Sequence, residues 1–470
     1  MTRLSGALAI AALLVGCAAS PPYTKPLVEI PASWKTEAGW REARPNEAAP
    51  RGAWWQRFGD PQLDALQQQA LAASPTLAAA TARLAQARAA VDLASAGLLP
   101  QVTGSARVAR LQISANRPLT NYSSPNAQTI QNDFQFGFAV AYEADLWGRV
   151  RGTVDAAQAS AGQSAADLEN VRLVLGTDLA AAYFNLRGVD IEIDVLTRSL
   201  ALQRRALELV KARHELGATS GLDVAQQQAL LDATLTQVDI LRRQRDQFEN
   251  AVATLTGRPA PLFALSASAT PRVPPAIPLG IPSDVLERRP DIAAAERAMA
   301  AANAQIGVAR AAYYPSITFN PAFGADTRVL SRLFDAPSLL WSLGTSLAQP
   351  IFDAGRTDAN VASARAGYEL AVANYRRVVL TAMQEVQDGI SGSAALDRAL
   401  QQSAQAVASA ERVLQLATDR YEGGAASYLD VISAQQALLA QQRQSAQLLG
   451  QRLLVSVFLI KALGGDWQAP

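Results

Sequence analysis

The sequence of 470 residues contains very few of the side chains that most often bind metals or act as nucleophiles and bases, cysteine and histidine. There is one cysteine, Cys17, and one histidine, His214. A single cysteine excludes an intrachain disulfide, and the two residues are too few for a zinc or iron–sulfur site. No histidine–carboxylate–nucleophile set and no glycine-rich phosphate loop can be assembled from the remaining residues. The sequence therefore predicts a protein that is not an enzyme and that uses neither a metal nor an organic cofactor.

Cys17 ends an N-terminal segment with the features of a secretory signal. A basic start is followed by an apolar run, Ala7 to Val15, that is too short to span a bilayer. The end of this segment, Leu-Val-Gly-Cys, resembles a bacterial lipobox, which predicts cleavage between Gly16 and Cys17 and a covalent S-diacylglycerol and N-acyl lipid on the cysteine. The alternative is an ordinary signal peptide that is cut after Ala19. The only cysteine stands at the one position that lipidation requires, which favours the lipoprotein.

Two aspartates occupy equivalent places in an internal repeat. Asp223 and Asp430 each follow a glycine-containing turn, and each lies three residues after a serine. Asp223 precedes Asp430 by 207 residues, and Ser220 precedes Ser427 by the same number. A serine followed three residues later by an acid is typical of a helix N-cap, where both side chains pair with free backbone N–H groups. The repeat indicates a tandem duplication, and the spacing predicts a helix that begins at each serine.

Each turn joins two long helices. The region from Gly355 to Leu463 contains no proline and predicts an outgoing helix, Arg356 to Glu422, followed by the turn and a returning helix. At ~1.5 Å per residue, the outgoing helix of 67 residues would be roughly 100 Å long. Since no compact domain needs such a length, the hairpins predict an elongated architecture. The glycines that end the outgoing helices are Gly217 in the first half and Gly423 and Gly424 in the second.

Before each hairpin the hydrophobic pattern becomes alternating. The large apolar residues of the alternating face include Phe134, Phe136, Phe138 and Val140 in the first half and Trp341 and Leu343 in the second. Small or polar residues alternate with them, as in strands whose two faces meet different surroundings. One interpretation is two soluble hairpins that pack on a helix. The other is a membrane barrel with the apolar face in lipid, and the scarcity of charge on the second face favours it.

A barrel of this kind would have to be shared between chains. The sequence predicts four strands, which cannot close, and an open sheet edge is not viable in lipid. Two chains would supply eight strands around a lumen that side chains largely fill, whereas three would supply twelve with room for a passage.

Composition gives no sign of a nucleic-acid partner. The net charge is +1, with 42 basic and 41 acidic residues, and aromatic residues make up only 6% of the chain. Clustered positive charge, the usual mark of nucleic-acid binding, is therefore not indicated.

These elements divide the chain into two repeats and their flanking segments. Residues 1–16 are a signal peptide, 17–52 a lipidated tether, and 53–256 a first repeat with strands at about 101–112 and 133–143 and a hairpin at about 148–256. Residues 257–290 form a proline-rich connector. Residues 291–465 are a second repeat with strands at about 315–324 and 339–350 and a hairpin at about 355–463, and 466–470 form a C-terminal tail. The predicted fold class is an α+β membrane protein.

Several phrases of the sequence are shared with one known family. They are Trp54-Trp55 with Phe58-Gly59-Asp60-Pro61, Tyr142-Glu143 with Asp145 to Arg149, Arg288-Arg289-Pro290-Asp291, Tyr314-Pro315-Ser316, Gln349 to Arg356, and Tyr421 to Asp430. In these phrases the chain resembles the outer membrane factors, the TolC-like channels, and among them the efflux lipoproteins of the NodT/OprM type. The resemblance extends from Trp54 to Gly465, nearly the whole mature chain.

The resemblance implies a fold, an assembly and a role. It implies a homotrimer with a twelve-stranded outer-membrane barrel and a periplasmic tunnel of long helices in a Gram-negative bacterium. It implies the passive exit duct of a tripartite exporter, in which a periplasmic adaptor and an inner-membrane pump of the RND type are the partners, and outer-membrane lipid surrounds the barrel. Small molecules and drugs are the expected cargo. The alternatives are a duct for heavy-metal efflux or type I protein secretion, and a structural periplasmic coiled-coil lipoprotein.

The resemblance also implies roles for the residues of the turns. Asp223 and Asp430 would lie at the periplasmic constriction, where acidic rings in relatives gate the tunnel and favour cations. A further acidic position of the family, three residues after Asp430, is occupied here by Ser433. Gly217, Gly423 and Gly424 would lie at the tips on which the adaptor docks. Helix capping explains the same aspartates without gating, and the two roles are compatible.

Overall fold

The computed structural model describes residues 21–24, 26, 52–116, 129–275 and 288–465. Seven α-helices lie in these ranges, besides short 3-10 turns: α1 (Pro61–Ala73), α2 (Pro75–Ala96), α3 (Arg149–Glu215), α4 (Gly221–Leu255), α5 (Pro290–Ala311), α6 (Arg356–Glu422) and α7 (Tyr428–Ala462). Six strands lie in them: β1 (Gln101–Ile113), β2 (Thr129–Glu143), β3 (Ser316–Phe319), β4 (Ala322–Thr327), β5 (Leu339–Ser342) and β6 (Thr345–Ala348). Among these described helices, none is both long and apolar enough to cross a bilayer.

The chain divides into two compact units. The strand unit comprises Met1–Pro26, Leu84–Ser164 and Ala295–Tyr375, and the hairpin unit comprises Leu27–Arg83, Ala165–Ala294 and Arg376–Pro470. All six strands belong to the strand unit, and both helical turns belong to the hairpin unit. The long helices α3 and α6 contribute to both.

The strand unit contains one antiparallel sheet built on β2. On one side β2 pairs with β1 over their full common length, from Gln101 opposite Ala141 to Ile113 opposite Thr129. On the other side β2 pairs with β4 and then β3, and these pair with β5 and β6 respectively. The outer edges, β1 on one side and β5 with β6 on the other, have no partner among the described residues.

The second half of the sheet is interrupted, and the prediction of two continuous strands at 315–324 and 339–350 is wrong. Asn320 and Pro321 separate β3 from β4, and Leu343 and Gly344 separate β5 from β6. Pro321 has no N–H to donate to a neighbouring strand. The two breaks adjoin each other, since Asn320 N donates to Gly344 O at 2.9 Å. Val140 N of β2 donates to Pro321 O at 2.9 Å, so β2 continues past the break.

The long helices follow from composition and from their ends. Alanine, leucine and glutamine dominate them and are good helix formers, and no proline interrupts α3, α4, α6 or α7. The outgoing helices α3 and α6 each contain 67 residues, and the returning helices α4 and α7 each contain 35.

An aromatic core in the hairpin unit fixes the position of the short helix α1. Trp54 and Phe58 pack with Tyr183 and Phe184 of α3, all of them buried. Asp60 caps α1 by accepting from Gln62 N at 3.0 Å, and it also accepts from Tyr183 Oη at 2.8 Å. The cap and the core therefore tie the start of α1 to α3.

Candidate channel surface and helical tips

The two faces of the sheet differ in chemistry. Directly opposite residues of an antiparallel pair share a face. The apolar face carries Val102, Val108, Phe134, Phe136, Phe138, Val140, Phe323, Leu339 and Trp341, with the polar pair Arg110 and Asn132 towards one end. The other face carries mainly small, polar and charged residues, with Leu111 and Leu340 as exceptions: Thr103, Ser105, Arg107, Asp133, Gln135, Gly137, Ala139, Gly324, Asp326 and Ser342. A sheet with these faces can separate lipid from water.

Most residues predicted to face lipid share the apolar face. Phe134, Phe136, Phe138 and Val140 line it on β2, and Trp341 lies opposite Phe323 and is 73% exposed. Leu343 differs, because it lies in the break between β5 and β6, where it is 80% exposed. Whether these side chains meet lipid stays a prediction.

Close packing between two glycines holds β2 against β4. Gly137 and Gly324 are directly opposite each other. A Cβ on Gly324 would come 2.8 Å from Gly137 Cα and would also collide with Phe136 O. Neither position therefore accepts a side chain without a shift of the backbone.

Aromatic residues gather where the strands meet the helices. Trp147, just before α3, stacks on Tyr314 with ring centroids 4.8 Å apart. Its Nε1 donates to Pro315 O at 2.7 Å, which ties the start of α3 to the start of β3. The sequence analysis noted Trp147 and Tyr314 only as parts of motifs shared with the family and did not predict their contact. A signal was available, because aromatic residues at the ends of strands are typical of the borders of a membrane barrel.

The first tip is closed by Gly217 and Asp223. Gly217 adopts a φ of +72°, and Ala218 N donates to Arg213 O at 2.8 Å, which ends α3. Asp223 accepts from Ser220 N at 3.2 Å and from the Thr219 hydroxyl, while its own N–H donates to Ser220 Oγ at 3.3 Å. The Thr219 hydroxyl and the Ser220 donors lower the pKa of Asp223 below its usual value. The predicted helix cap is present here.

The second tip has the same cap with a different hydroxyl as donor. Asp430 accepts from Ser427 N at 3.1 Å and from Ser427 Oγ at 3.2 Å. Gly424 adopts a φ of +72°, whereas Gly423 does not have a positive φ. Of the two glycines expected to supply unusual backbone freedom, only Gly424 uses it.

Close to the tips, buried polar contacts join the two hairpins. Tyr428 of α7 is 5% exposed, and its Oη donates to Gln227 Oε1 of α4 at 2.9 Å. Gln227 Nε2 in turn donates to Gln203 O of α3 at 3.1 Å. Burial, with smaller contributions from Tyr421 and Asp223, raises the pKa of Tyr428 to about 12, so the phenol is a neutral donor at physiological pH.

A second contact accompanies this one. The guanidinium carbon of Arg213, on α3, lies 5.3 Å from the centre of the Tyr421 ring, on α6. Sequence reasoning missed both contacts. The one available signal is that Tyr421 and Tyr428 flank the second turn, while His214 and Gly221 take their places in the first repeat.

The signal-cleavage residue Gly16 and the lipidation residue Cys17 lie outside the described residues. Their roles stay predictions, as do the gating role of the two aspartates and the docking role of the tip glycines.

Comparisons with known proteins agree with this arrangement. The model of the outer membrane efflux protein family matches residues 66–258 and 281–465, and the chain belongs to this family. The pyoverdine export outer membrane protein OpmQ of Pseudomonas putida is 34% identical over 457 residues, which are 97% of this chain and 96% of that protein. The toluene efflux pump outer membrane protein TtgF of Pseudomonas putida is 32% identical over 468 residues, 98% of this chain and 96% of that protein.

A solved structure shows the same fold. The outer-membrane channel OprN matches with a TM-score of 0.86 and 28% identity, over 96% of this chain and 99% of that chain. The resemblance to TolC-like channels and the α+β fold class are therefore confirmed. Efflux through a channel of the outer membrane is the function of this protein, and the outer membrane is its location.

Proposed function

We propose that three copies of the chain share one barrel and form the passive exit duct of a tripartite efflux system. One observation carries the proposal: the sheet has an apolar and a polar face, but both of its outer edges lack partners among the described residues. Unpaired backbone groups are too costly to leave in lipid, so the edges must pair with other copies. β3 and β4 lie end to end along β2, and β5 and β6 lie end to end beside them, so each of these pairs counts as one barrel strand and each copy supplies four. Three copies then give twelve strands and a passage, whereas two give eight and a filled lumen.

The proposed partners are a periplasmic adaptor and an inner-membrane pump of the RND type. The adaptor would dock on the tips around Gly217, Gly423 and Gly424, which are compact turns with side chains exposed beside them, such as Leu216 and Leu429. The duct itself has no energy source, so the pump would select and drive the cargo. Small organic molecules are the proposed cargo class, in keeping with relatives named for pyoverdine export and toluene efflux.

Lipidation of Cys17 and gating by the tip aspartates complete the proposal. The S-diacylglycerol and N-acyl groups on Cys17 would anchor each copy in the periplasmic leaflet of the outer membrane. Asp223 and Asp430 would add negative charge near the narrow end of the tunnel, where carboxylate rings attract cations. Both residues cap helices in any case, so gating would be a second use of the same side chains.

Reconstitution in planar bilayers tests the duct. The purified protein should have the mass of three chains and should give discrete conductance steps, since a twelve-stranded lumen conducts ions. A monomeric protein without conductance would contradict the proposal. The Asp430→Ala variant tests gating separately: unchanged ion selectivity and an unchanged closed level would exclude the carboxylate from gating while leaving the duct intact.

A further inference from the structure

The N-terminal segment 21–24 lies between α5 and α6 of the strand unit. Asn303 Nδ2, on α5, donates to Pro21 O at 3.1 Å. Tyr368 Oη, on α6, donates to Thr24 O at 3.5 Å. Tyr23 lies beside Tyr368 and Glu296, and burial raises the pKa of its phenol. The segment therefore occupies a groove that both helices line.

The same groove continues into a pocket beside the strands. Asn303 and Arg310 are seven residues apart, so they lie on one side of α5, separated by two turns or about 10 Å. A pocket of about 570 Å³ is lined there by Arg310, Tyr313, Tyr314, Asp358, Val361, Ala362 and Arg365. Two residues beyond Tyr314 the strand β3 begins, so the pocket lies at the joint between helix and sheet.

The pocket carries a net positive charge. Two guanidinium groups line it against one carboxylate, Asp358, and the Tyr313 hydroxyl that donates to Asp358 adds no charge. Among the described residues, neither Arg310 nor Arg365 forms an ion pair. Two guanidinium groups on adjacent helices can offer paired N–H donors to the oxygens of one phosphate. The ligand chemistry that fits is therefore a phosphate group.

The position of the pocket indicates where that phosphate comes from. Trp147 and Tyr314 stack beside it, and such aromatic pairs mark the level of lipid headgroups in membrane barrels. The segment that enters the groove at Pro21 comes from Cys17, four residues earlier, and a lipid-anchored segment must run outside a barrel. This orientation rests on the proposed lipidation.

We propose that the pocket formed by Arg310 and Arg365 binds the phosphate of a phospholipid in the periplasmic leaflet of the outer membrane. The guanidinium groups hold the phosphate, and Tyr313 and Tyr314 flank the headgroup. A basic pocket between helices at a membrane surface is a common way to bind anionic lipid. The site would fix the height of the joint between helix and sheet relative to the leaflet.

Lipid binding to the purified protein tests the proposal. Short-chain phosphatidylglycerol is added to detergent-purified wild type, to Arg310→Gln, to Arg365→Gln and to the double variant, and bound lipid is counted by native mass spectrometry. We expect affinity to fall about tenfold for each arginine lost, because each removes a charge-assisted hydrogen bond. Arg377→Gln, an exposed position further along α6, is the matched control and should bind as wild type does.

Three results would overturn the assignment. They are wild-type affinity in the double variant, equal loss in the Arg377→Gln control, and competition by inorganic phosphate at the concentration of the lipid, which would make the ligand an aqueous anion. Conductance of each variant is measured alongside, so a failed duct is distinguished from a failed lipid site. The intact mass of the wild type reports lipidation of Cys17 separately from both.

Discussion

The two halves of the chain repeat their helices faithfully and their strands poorly. The outgoing helices have 67 residues each and the returning helices 35 each. The strands of the first half are continuous, with 13 and 15 residues, whereas every strand of the second half has 4 or 6. Glycines with a positive φ stand at equivalent places in both halves, at the start, turn and end of each hairpin, so the same signals set the helix lengths twice: Gly148 and Gly355, Gly217 and Gly424, and Gly257 and Gly464. Strands can be interrupted without loss of order where a continuous neighbour, here β2, bridges the break.

The largest expected effect concerns the uninterrupted strand. Phe138→Lys places a charge on the apolar face of β2, which should cost about 2–4 kcal/mol near the middle of a bilayer. Ala139→Lys, one residue on, places the same charge on the opposite face and should change the free energy of unfolding little. Equilibrium unfolding in lipid vesicles measures both. Equal costs for the two lysines would mean that the faces do not meet different surroundings.

The next prediction compares a glycine packed between the two halves, Gly324, with a glycine in the break, Gly344. Gly324→Val should cost about 1–3 kcal/mol and reduce the yield of assembled protein, because its side chain meets the backbone of β2. Gly344→Val, in the break, is the control, since the atom nearest to its Cβ is 4.0 Å away. Heat-resistant assembly on gels gives the readout. A Gly344→Val defect as large as that of Gly324→Val would show that the break is as tightly packed as the paired strands.

An effect of similar size concerns the buried contact near the tips, which only the second half supplies with a tyrosine. Tyr428→Phe removes the donor to Gln227 Oε1 and should destabilise the tips by about 1–3 kcal/mol, because a buried acceptor loses its partner. Tyr421→Phe keeps the ring beneath Arg213 and should change stability by less than about 0.5 kcal/mol. Amide hydrogen exchange near residues 221–232 and 428–435 reports the opening. Protection that is unchanged in Tyr428→Phe would exclude this hydrogen bond as a tie between the hairpins.

The smallest effect compares the two caps. Asp223→Asn and Asp430→Asn should each cost about 1 kcal/mol, because each carboxylate accepts from one backbone N–H and one hydroxyl. The lowered pKa of Asp223 means that its stabilisation is present above the ordinary pKa of 3.8 and is lost as the pH falls through the lower folded value. Hydrogen exchange of the first turn of α4, measured between pH 5 and pH 2.5, should show this acid-dependent loss in wild type only. If hydrogen exchange in Asp223→Asn depended on pH as it does in wild type, the Asp223 carboxylate would not be what stabilises the cap.

Local signals in the sequence account for the helices and their caps. Arg356–Glu422 is predicted to the residue, because glycine turns and serine caps act on their immediate neighbours. The caps at Ser220 and Ser427 follow from a spacing of three residues. The interruption at Pro321 had a visible signal, since proline breaks a central strand, but the overall alternation concealed it.

Contacts between distant residues could not be predicted in the same way. Tyr428 and Gln227 are 201 residues apart, and only the packing of one hairpin on the other brings them together. The apolar face of β1 depends likewise on its register with β2, because Val102 and Val108 are separated by small and charged residues. The pocket around Arg310 and Arg365 joins two helices, and neither helix has a sequence pattern that singles out its arginine.

The adjoining breaks at Asn320-Pro321 and Leu343-Gly344 form one line across the sheet, here called the crease. It separates β3 from β4 and β5 from β6, and it stops at β2. If three copies form the wall of one barrel, the interrupted strands β3 to β6 of each copy would alternate around it with the continuous strands β1 and β2. At each crease the ladder of strand hydrogen bonds is interrupted, and only β2 runs past it unbroken. The unequal strands of the two halves would then give the barrel three lines along which one continuous strand carries the wall across the break.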